Sequence, residues 1–264
     1  MQKTILTILS TNYAGSHFLS LLMGSHSQAR HIGEVRRVVR GHGPGGEVGL
    51  CDLCHPPSNC PTVRNLAGCD VSPVYNRVFE NFAADGQNPQ ILVDTSKRVD
   101  WAQQFLGDAS YRFKFIHLIR DPRAFIRRYI LNAKSLKCRM HVRRQAAFRG
   151  ITWRPGLLLS PQWKVCLKRW YDKNAEIARF LREQGCDHEV VTYRDLATDT
   201  AGELARLTTW LSLEFEPKQV EYWTFEHHGS QKISYEWIKQ QRKTGHLDVR
   251  WKEFLSRETA EAVT

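Results

Sequence analysis

Apolar residues follow two rhythms along this chain. Short runs rich in β-branched residues occur at Thr4–Ser10, Gln90–Asp94, Arg112–Arg120 and Glu189–Tyr193. Their length and composition are those of buried strands. Between them the apolar spacing lengthens to the helical period. Phe18–Met23 opens an apolar helix, and Val74, Val78, Phe79 and Phe82 mark a second over Val74–Ala84. A short helix is predicted over Trp101–Leu106, and another starts near Ala124. Val165, Leu167, Trp170, Ile177 and Leu181 stripe a long helix, with Ser160 as predicted N-cap, Pro161 at N1 and Gly185 as the stop. An amphipathic helix covers Glu203–Leu213. Strand runs alternating with helical runs predict an α/β fold: a central, mainly parallel sheet flanked by helices in three layers. No repeat or low-complexity run interrupts the pattern.

Each predicted strand ends in polar residues, which is where an open α/β sheet places its ligand. The first strand leads into Asn12-Tyr-Ala-Gly-Ser-His17 and then directly into the first helix. Strand, small-residue loop and helix start together form a P-loop-like anion site, with convergent N–H groups and the positive end of a helix dipole. A Gly-x4-Gly-Lys-Ser/Thr pattern is absent, which argues against a nucleoside triphosphate with magnesium. About ten residues after the first helix, Gly33-Glu34 offers a carboxylate beside whatever the loop binds. The other strands end in Asp94-Thr-Ser-Lys97, Arg120-Asp-Pro-Arg123 and Tyr193-Arg-Asp195.

The 264 residues, 42% hydrophobic, are enough for one substantial core, so the expectation is a single domain over 1–264. The first strand is too short for a signal-peptide core or a membrane span, and the chain reads as soluble and cytoplasmic. The net charge of +11 is localised: Pro122–Tyr171 holds thirteen Lys and Arg and no acid, leaving the remainder at −2. That concentration points to an anionic partner. Residues of about 127–158, mixed in pattern and highly charged, read as a basic cover over the site. A Gly/Pro-rich insertion at about 41–72 carries Cys51, Cys54, Cys60 and Cys69, with His55 among them. These cysteines are candidate ligands of a structural zinc, with free thiols or a local disulfide as the alternatives. Seven cysteines in a chain of this size argue against a secreted disulfide scaffold.

At motif level the sequence resembles the PAPS-dependent sulfotransferases, especially bacterial-type members related to the tyrosylprotein sulfotransferases; PAPS is 3′-phosphoadenosine 5′-phosphosulfate. Asn12-Tyr-Ala-Gly-Ser-His17 matches the family's 5′-phosphosulfate loop. Phe115-Ile-His-Leu-Ile-Arg120-Asp-Pro-Arg123 matches its 3′-phosphate strand. Gly33-Glu34 matches the Gly-Glu that bears the general base, and Asp94-Thr-Ser-Lys97 resembles the bacterial Asp-Ser-Ser-Lys. Tyr193-Arg-Asp-Leu196 resembles Tyr-Glu-Asp-Leu, and His227-His-Gly-Ser-Gln-Lys232 with Trp251-Lys252 resembles the C-terminal nucleotide loop. Two positions depart from the pattern. Tyr13 stands where the loop lysine or arginine is usual, and Arg128 stands in place of a serine.

The resemblance implies sulfuryl transfer from PAPS to an acceptor hydroxyl, releasing 3′,5′-diphosphoadenosine (PAP). It assigns Glu34 as base, and Lys97, Lys232 and Ser230 are the candidates to stabilise the leaving group. It assigns the nucleotide to Tyr13, Ala14, Gly15, Ser16, His17, Phe18, Arg120, Arg128, Tyr193, Ser230 and Lys232. The expected partner is a hydroxyl-bearing, acidic acceptor, with no nucleic acid and no membrane span. Two rival readings remain: a nucleotide-dependent kinase of related fold, and a basic nucleic-acid-binding protein stacking bases on Phe125, Tyr129, Phe148 and Trp153.

Overall fold

A computed structural model describes residues 2–41, 51, 53–54, 59–66, 68–132, 135–149, 153–228, 239–240 and 246–263. Five strands form its sheet: β1 (Thr4–Ser10), β2 (Ala29–Gly33), β3 (Ile91–Lys97), β4 (Arg112–Ile119) and β5 (His188–Thr192). Their order is β2-β3-β1-β4-β5, and every pairing is parallel. The central strand β1 is the most apolar, and all seven of its residues are buried. A parallel sheet covered on both faces requires continuous apolar runs of this kind.

Eleven α-helices follow in chain order among the described residues: α1 (Ser16–Gly24), α2 (Val35–Val39), α3 (Val74–Ala84), α4 (Val99–Ala102), α5 (Pro122–Asn132), α6 (Leu136–Phe148), α7 (Gln162–Glu183), α8 (Tyr193–Thr198), α9 (Thr200–Trp210), α10 (Trp251–Phe254) and α11 (Arg257–Ala262). The alternation of side chains along β1 sorts them into layers. Leu6 and Ile8 face Leu19 and Leu22 of α1 and Leu204 and Leu207 of α9. Ile5 points the other way, into a cluster with Val78 and Phe82 of α3, and Leu9 packs with Ile177, Phe180 and Leu181 of α7. Each such buried side chain is worth about 1.5–3 kcal/mol. The expected three-layer α/β architecture is therefore present.

Most elements stand where the apolar pattern puts them, and α3 has the predicted bounds. Four differ. The strand β2 (ARHIG) was not predicted, because Arg30 and His31 break its apolar run; it forms because β3 offers it a pairing edge. The helix α7 starts at Gln162 with extended Pro161 as its cap, and the Ser160 hydroxyl donates to the carbonyl of Gly156 (2.9 Å). The helix α9 begins at Thr200, three residues early, because the Asp199 carboxylate caps it by accepting from the Gly202 N–H (2.9 Å). Part of the charged segment expected as irregular cover is the helix α6. It is capped by Ser135, which accepts from the Cys138 N–H (3.1 Å), and it buries Val142, Ala146 and Ala147 against Leu157 and Val165. Among the described residues, no helix is long and apolar enough to cross a membrane.

One buried acid ties α3 and α4 to the sheet. Asp94 in β3 is wholly buried. It accepts from the Tyr75 hydroxyl (2.7 Å), the Trp101 Nε1–H (3.0 Å), the Ser96 N–H (2.7 Å) and the Ser96 hydroxyl (2.6 Å). Burial pushes its pKa up, while these donors hold the rise in check. Removing the acceptor strands buried donors. Asp94→Ala should lower stability by about 3 kcal/mol or more, read as a lower urea midpoint at unchanged m-value.

Candidate functional site

Because the five strands run in parallel, their carboxyl ends share one edge of the sheet. The connection after β1 leads through α1 toward β2, and the connection after β4 leads through α5, α6 and α7 toward β5. Adjacent strands whose connections depart to opposite sides open a crevice between them. Into this crevice project the loop after β1 and Arg120 after β4.

The loop is conformationally demanding. Tyr13 (φ 63°) and Gly15 (φ 100°) both lie in the left-handed region, which is unusual for a bulky side chain such as tyrosine. At Gly15 a Cβ would come within 2.5 Å of the Tyr193 ring, so only glycine fits. The helix α1 begins at once, and the N–H groups of its first turn have no intrahelical acceptors. Arg120 closes the other side. Its Nη1 donates to the Tyr13 carbonyl (2.6 Å), its Nη2 donates to Asp248 (2.7 Å), and its guanidinium lies 4.5 Å from the Tyr193 ring centroid. The Trp170 indole N–H fixes the Arg120 carbonyl (2.8 Å). The Nε of Arg120 is buried and has no partner among the described residues. Asp248 also accepts from Arg250 Nε (2.7 Å), and Arg250 with Arg120 holds its carboxyl at about 2. The Tyr193 hydroxyl donates to the His246 carbonyl (3.0 Å). Arg128 stands 5.8 Å from the Tyr13 ring centroid. A cation thus stands beside Tyr13 without a lysine in the loop itself.

The second half of the site lies at the ends of β2 and β3. Lys97 Nζ donates to Glu34 Oε1 (2.5 Å), and Arg37 stands 3.7 Å from Oε2. Both members of the close pair are mostly sheltered, Lys97 at 17% and Glu34 at 23% side-chain exposure. Lys97 also takes a left-handed backbone (φ 61°). Sparsely populated backbone of this kind persists only where the surroundings over-determine it. The pair borders a cavity of about 1110 Å³ that also reaches Ser10, Thr11 and Asn12 of the loop. Nine Lys and Arg side chains line the cavity against three carboxylates, Glu34, Asp172 and Glu176. The basic residues come from α2 (Arg36, Arg37) and Arg40 just after it, from Lys97 and the adjacent Arg98, from Arg149 beyond α6 and from α7 (Arg169, Lys173, Arg179).

Behind the pair stand three histidines in sequence. His17 packs edge-on to His31 (5.5 Å between centroids), and His31 to His227 (6.2 Å). Burial, with Lys97 and His227 nearby, holds His17 at about 4. Burial holds His227 at about 4 and His31 well below its ordinary value. His227 is anchored by the Tyr222 carbonyl (2.8 Å). The next residue, His228, points elsewhere: its Nδ1 lies 3.4 Å from the Cys54 Sγ and 3.9 Å from the Cys51 Sγ. With Cys60 these form a group whose ligand atoms all lie within 4.8 Å of one another, a set that could hold a metal ion.

No protein-family model matches the chain, and no curated protein matches it. Solved structures do. The sulfotransferase domain from the curacin biosynthetic pathway aligns over 99% of this chain and 96% of its own, with a TM-score of 0.55 at 17% identity. The sulfotransferase domain of the Synechococcus PCC 7002 olefin synthase aligns over 98% and 94%, with a TM-score of 0.54 at 16% identity. The chain has the sulfotransferase fold. At these identities the likeness is one of architecture, and side-chain roles are argued from this chain's own geometry.

On that sulfotransferase fold, the expected site residues fall into two neighbouring groups. The loop Tyr13–Phe18, Arg120, Arg128 and Tyr193 gather at the β1/β4 crevice, and Glu34 and Lys97 pair at the cavity. Ser230, Lys232 and His55 lie outside the described residues. Among the described residues, the group that could hold a metal ion joins His228 to Cys51, Cys54 and Cys60, and Cys69 is not in it. Spacing along the chain favoured Cys69 because it is near in sequence, whereas His228 is 174 residues from Cys54. Asp248 was also missed, since an isolated Asp before Val-Arg carries no local signal. The lining arginines of α2 were visible as charge but not as a wall of the cavity.

The histidines make stability depend on pH. Each is neutral when folded and binds a proton near 6.5 when unfolded, so the unfolded chain holds more protons between about 6.5 and about 4. Stability is therefore full above pH 6.5 and is lost as the pH falls through that window. A melting-temperature profile should slope downward there, and the double variant His17→Gln, His227→Gln should flatten it.

Proposed function

We propose that this chain transfers the sulfuryl group of PAPS to a hydroxyl of an anionic acceptor. The observation that carries the reading is the Glu34–Lys97 pair, which stands between the phosphate-loop crevice and the basic cavity of a sulfotransferase fold. In this reading the 5′-phosphosulfate rests on the N–H groups of Gly15–Phe18 at the start of α1. Arg120 and Arg128 hold the 3′-phosphate, Tyr193 contacts the nucleotide, and Ser230 and Lys232 complete the nucleotide side. The planar fork of Arg120 suits a phosphate, which competes with Asp248 for Nη2. The acceptor enters from the cavity, where the excess of cations selects for negative charge.

Chemistry follows from the pairing. One Glu34 oxygen takes the hydroxyl proton as the acceptor oxygen bonds to sulfur. The bond from sulfur to the bridging oxygen breaks in line, and its electrons leave with PAP. Lys97, within reach of both the base and the loop, neutralises the charge that develops on that bridging oxygen. The close contact between Lys97 and Glu34 fixes both side chains before substrate arrives, so that little reorganisation is left for the transition state.

Labelled sulfate transfer and PAP binding test this. Glu34→Gln should bind PAP normally and lose about 10²–10³ in turnover; full turnover would remove Glu34 as base. Arg120→Ala should weaken PAP binding about tenfold or more, ~1.4 kcal/mol. Asp248→Asn should do the reverse and tighten PAP binding, because the carboxylate no longer competes for the guanidinium.

A further inference from the structure

We propose that Cys51, Cys54, Cys60 and His228 bind one structural zinc ion, and that this ion fastens the Cys-rich insertion to the chain segment that follows His227. The inference does not depend on sulfuryl transfer. It starts from distance. His228 Nδ1 lies 3.4 Å from the Cys54 Sγ and 3.9 Å from the Cys51 Sγ, and all four ligand atoms lie within 4.8 Å of one another. A zinc tetrahedron with bonds of about 2.3 Å to sulfur and 2.0–2.1 Å to nitrogen has edges of about 3.6 Å (S to N) and 3.8 Å (S to S). The side chains are already spread to nearly those edges, so an ion enters with shifts of tenths of an ångström to about one.

The chemistry of the donors selects the ion. Three thiolates and an imidazole form a soft to borderline set, and with four protein ligands the shell is closed, which is the pattern of structural and not catalytic zinc. Without an ion the arrangement gains little. Thiols are weak hydrogen-bonding groups, and Cys51 and Cys60 are buried at 2% and 0% exposure. Besides the cluster, the Cys60 thiol lies 3.0 Å from the Thr62 hydroxyl. None of the seven cysteines forms a disulfide. Ligation through Nδ1 leaves the His228 proton on Nε2.

The placement explains what the ion holds. Cys51 and Cys60 share one buried cluster with Ile32 of β2 and Val35, Val38 and Val39 of α2. These are the elements that carry Glu34, Arg36 and Arg37. His228 arrives from the opposite end of the sequence, next to His227, which is buried at 2% exposure. A four-ligand ion here closes a loop of about 170 residues between Cys54 and His228, a long-range link whose binding energy becomes folding energy.

The test uses the full chain, purified with a phosphine reductant and without chelator. Elemental analysis should find one zinc per chain, released by a mercurial reagent. Replacement with cobalt(II) should give the absorption bands of tetrahedral thiolate–imidazole coordination, a readout that needs no variant to fold. Cys54→Ser and His228→Ala should each reduce bound zinc to near none at equal chain concentration, and His228→Cys should restore it with an altered cobalt spectrum. Cys69→Ser should keep the full stoichiometry. The proposal is overturned if the chain folded in the presence of zinc carries none, if thiol counting shows a disulfide among Cys51, Cys54 and Cys60 under reducing purification, or if the His228→Ala chain keeps the unaltered cobalt spectrum.

Discussion

The parallel pairing of β1 with both of its neighbours is the constraint from which the rest follows. With β3 on one side and β4 on the other, β1 has no free edge, and its alternating side chains decide which helices lie on which face. Parallel pairing also forces every strand to end on the same side. The loop after β1, Glu34 after β2, Lys97 at the end of β3, Arg120 after β4 and Tyr193 after β5 therefore meet at one edge without being near one another in the chain. Antiparallel pairing of any strand would have sent its terminal residue to the opposite edge.

Once those ends converge, electrostatics decides what each group is free to do. Two of the cations there are held by acids: Lys97 by Glu34 and Arg120 by Asp248. Sheltered pairs of this kind pay desolvation for both charges and regain it only through close geometry. The distances of 2.5–2.7 Å are that geometry. The cavity lining is different. Its positive side chains outnumber its carboxylates three to one, and this residual field is what an anion would feel on approach. The basic stretch of the sequence contributes Arg149 and Arg169, and α2 supplies two more arginines from outside that stretch.

Strain and burial mark the same region. Tyr13 in the loop after β1 and Lys97 at the end of β3 hold left-handed backbone, and Gly15 is pinned against the Tyr193 ring. His17, His31 and His227 are kept neutral behind them by burial. Such groups reduce stability and are tolerated because β1, β3 and α1 around them are fully packed. Next to His227, His228 stands in the group with Cys51, Cys54 and Cys60.

The local rules of the chain were enough to specify the strand β1, the helix α3, the small-residue loop after β1, the Gly33-Glu34 carboxylate and the position of Arg120 at the end of β4. Each is written in consecutive residues, through apolar period, turn chemistry or a short motif. Tertiary structure decided the rest. The strand β2 exists because β3 offers it an edge, which no property of Ala29–Gly33 announces. The helix α6 forms in a charged stretch because three small or branched residues find a surface to bury. Lys97 became the partner of Glu34, Asp248 the partner of Arg120 and His228 the fourth member of the cysteine cluster through contacts across 63, 128 and 174 residues. Sequence patterns report the period of an element and the chemistry of its ends, and both are local. Which end faces which is set by the order and direction of strands in the sheet, and that order is a property of the folded chain alone.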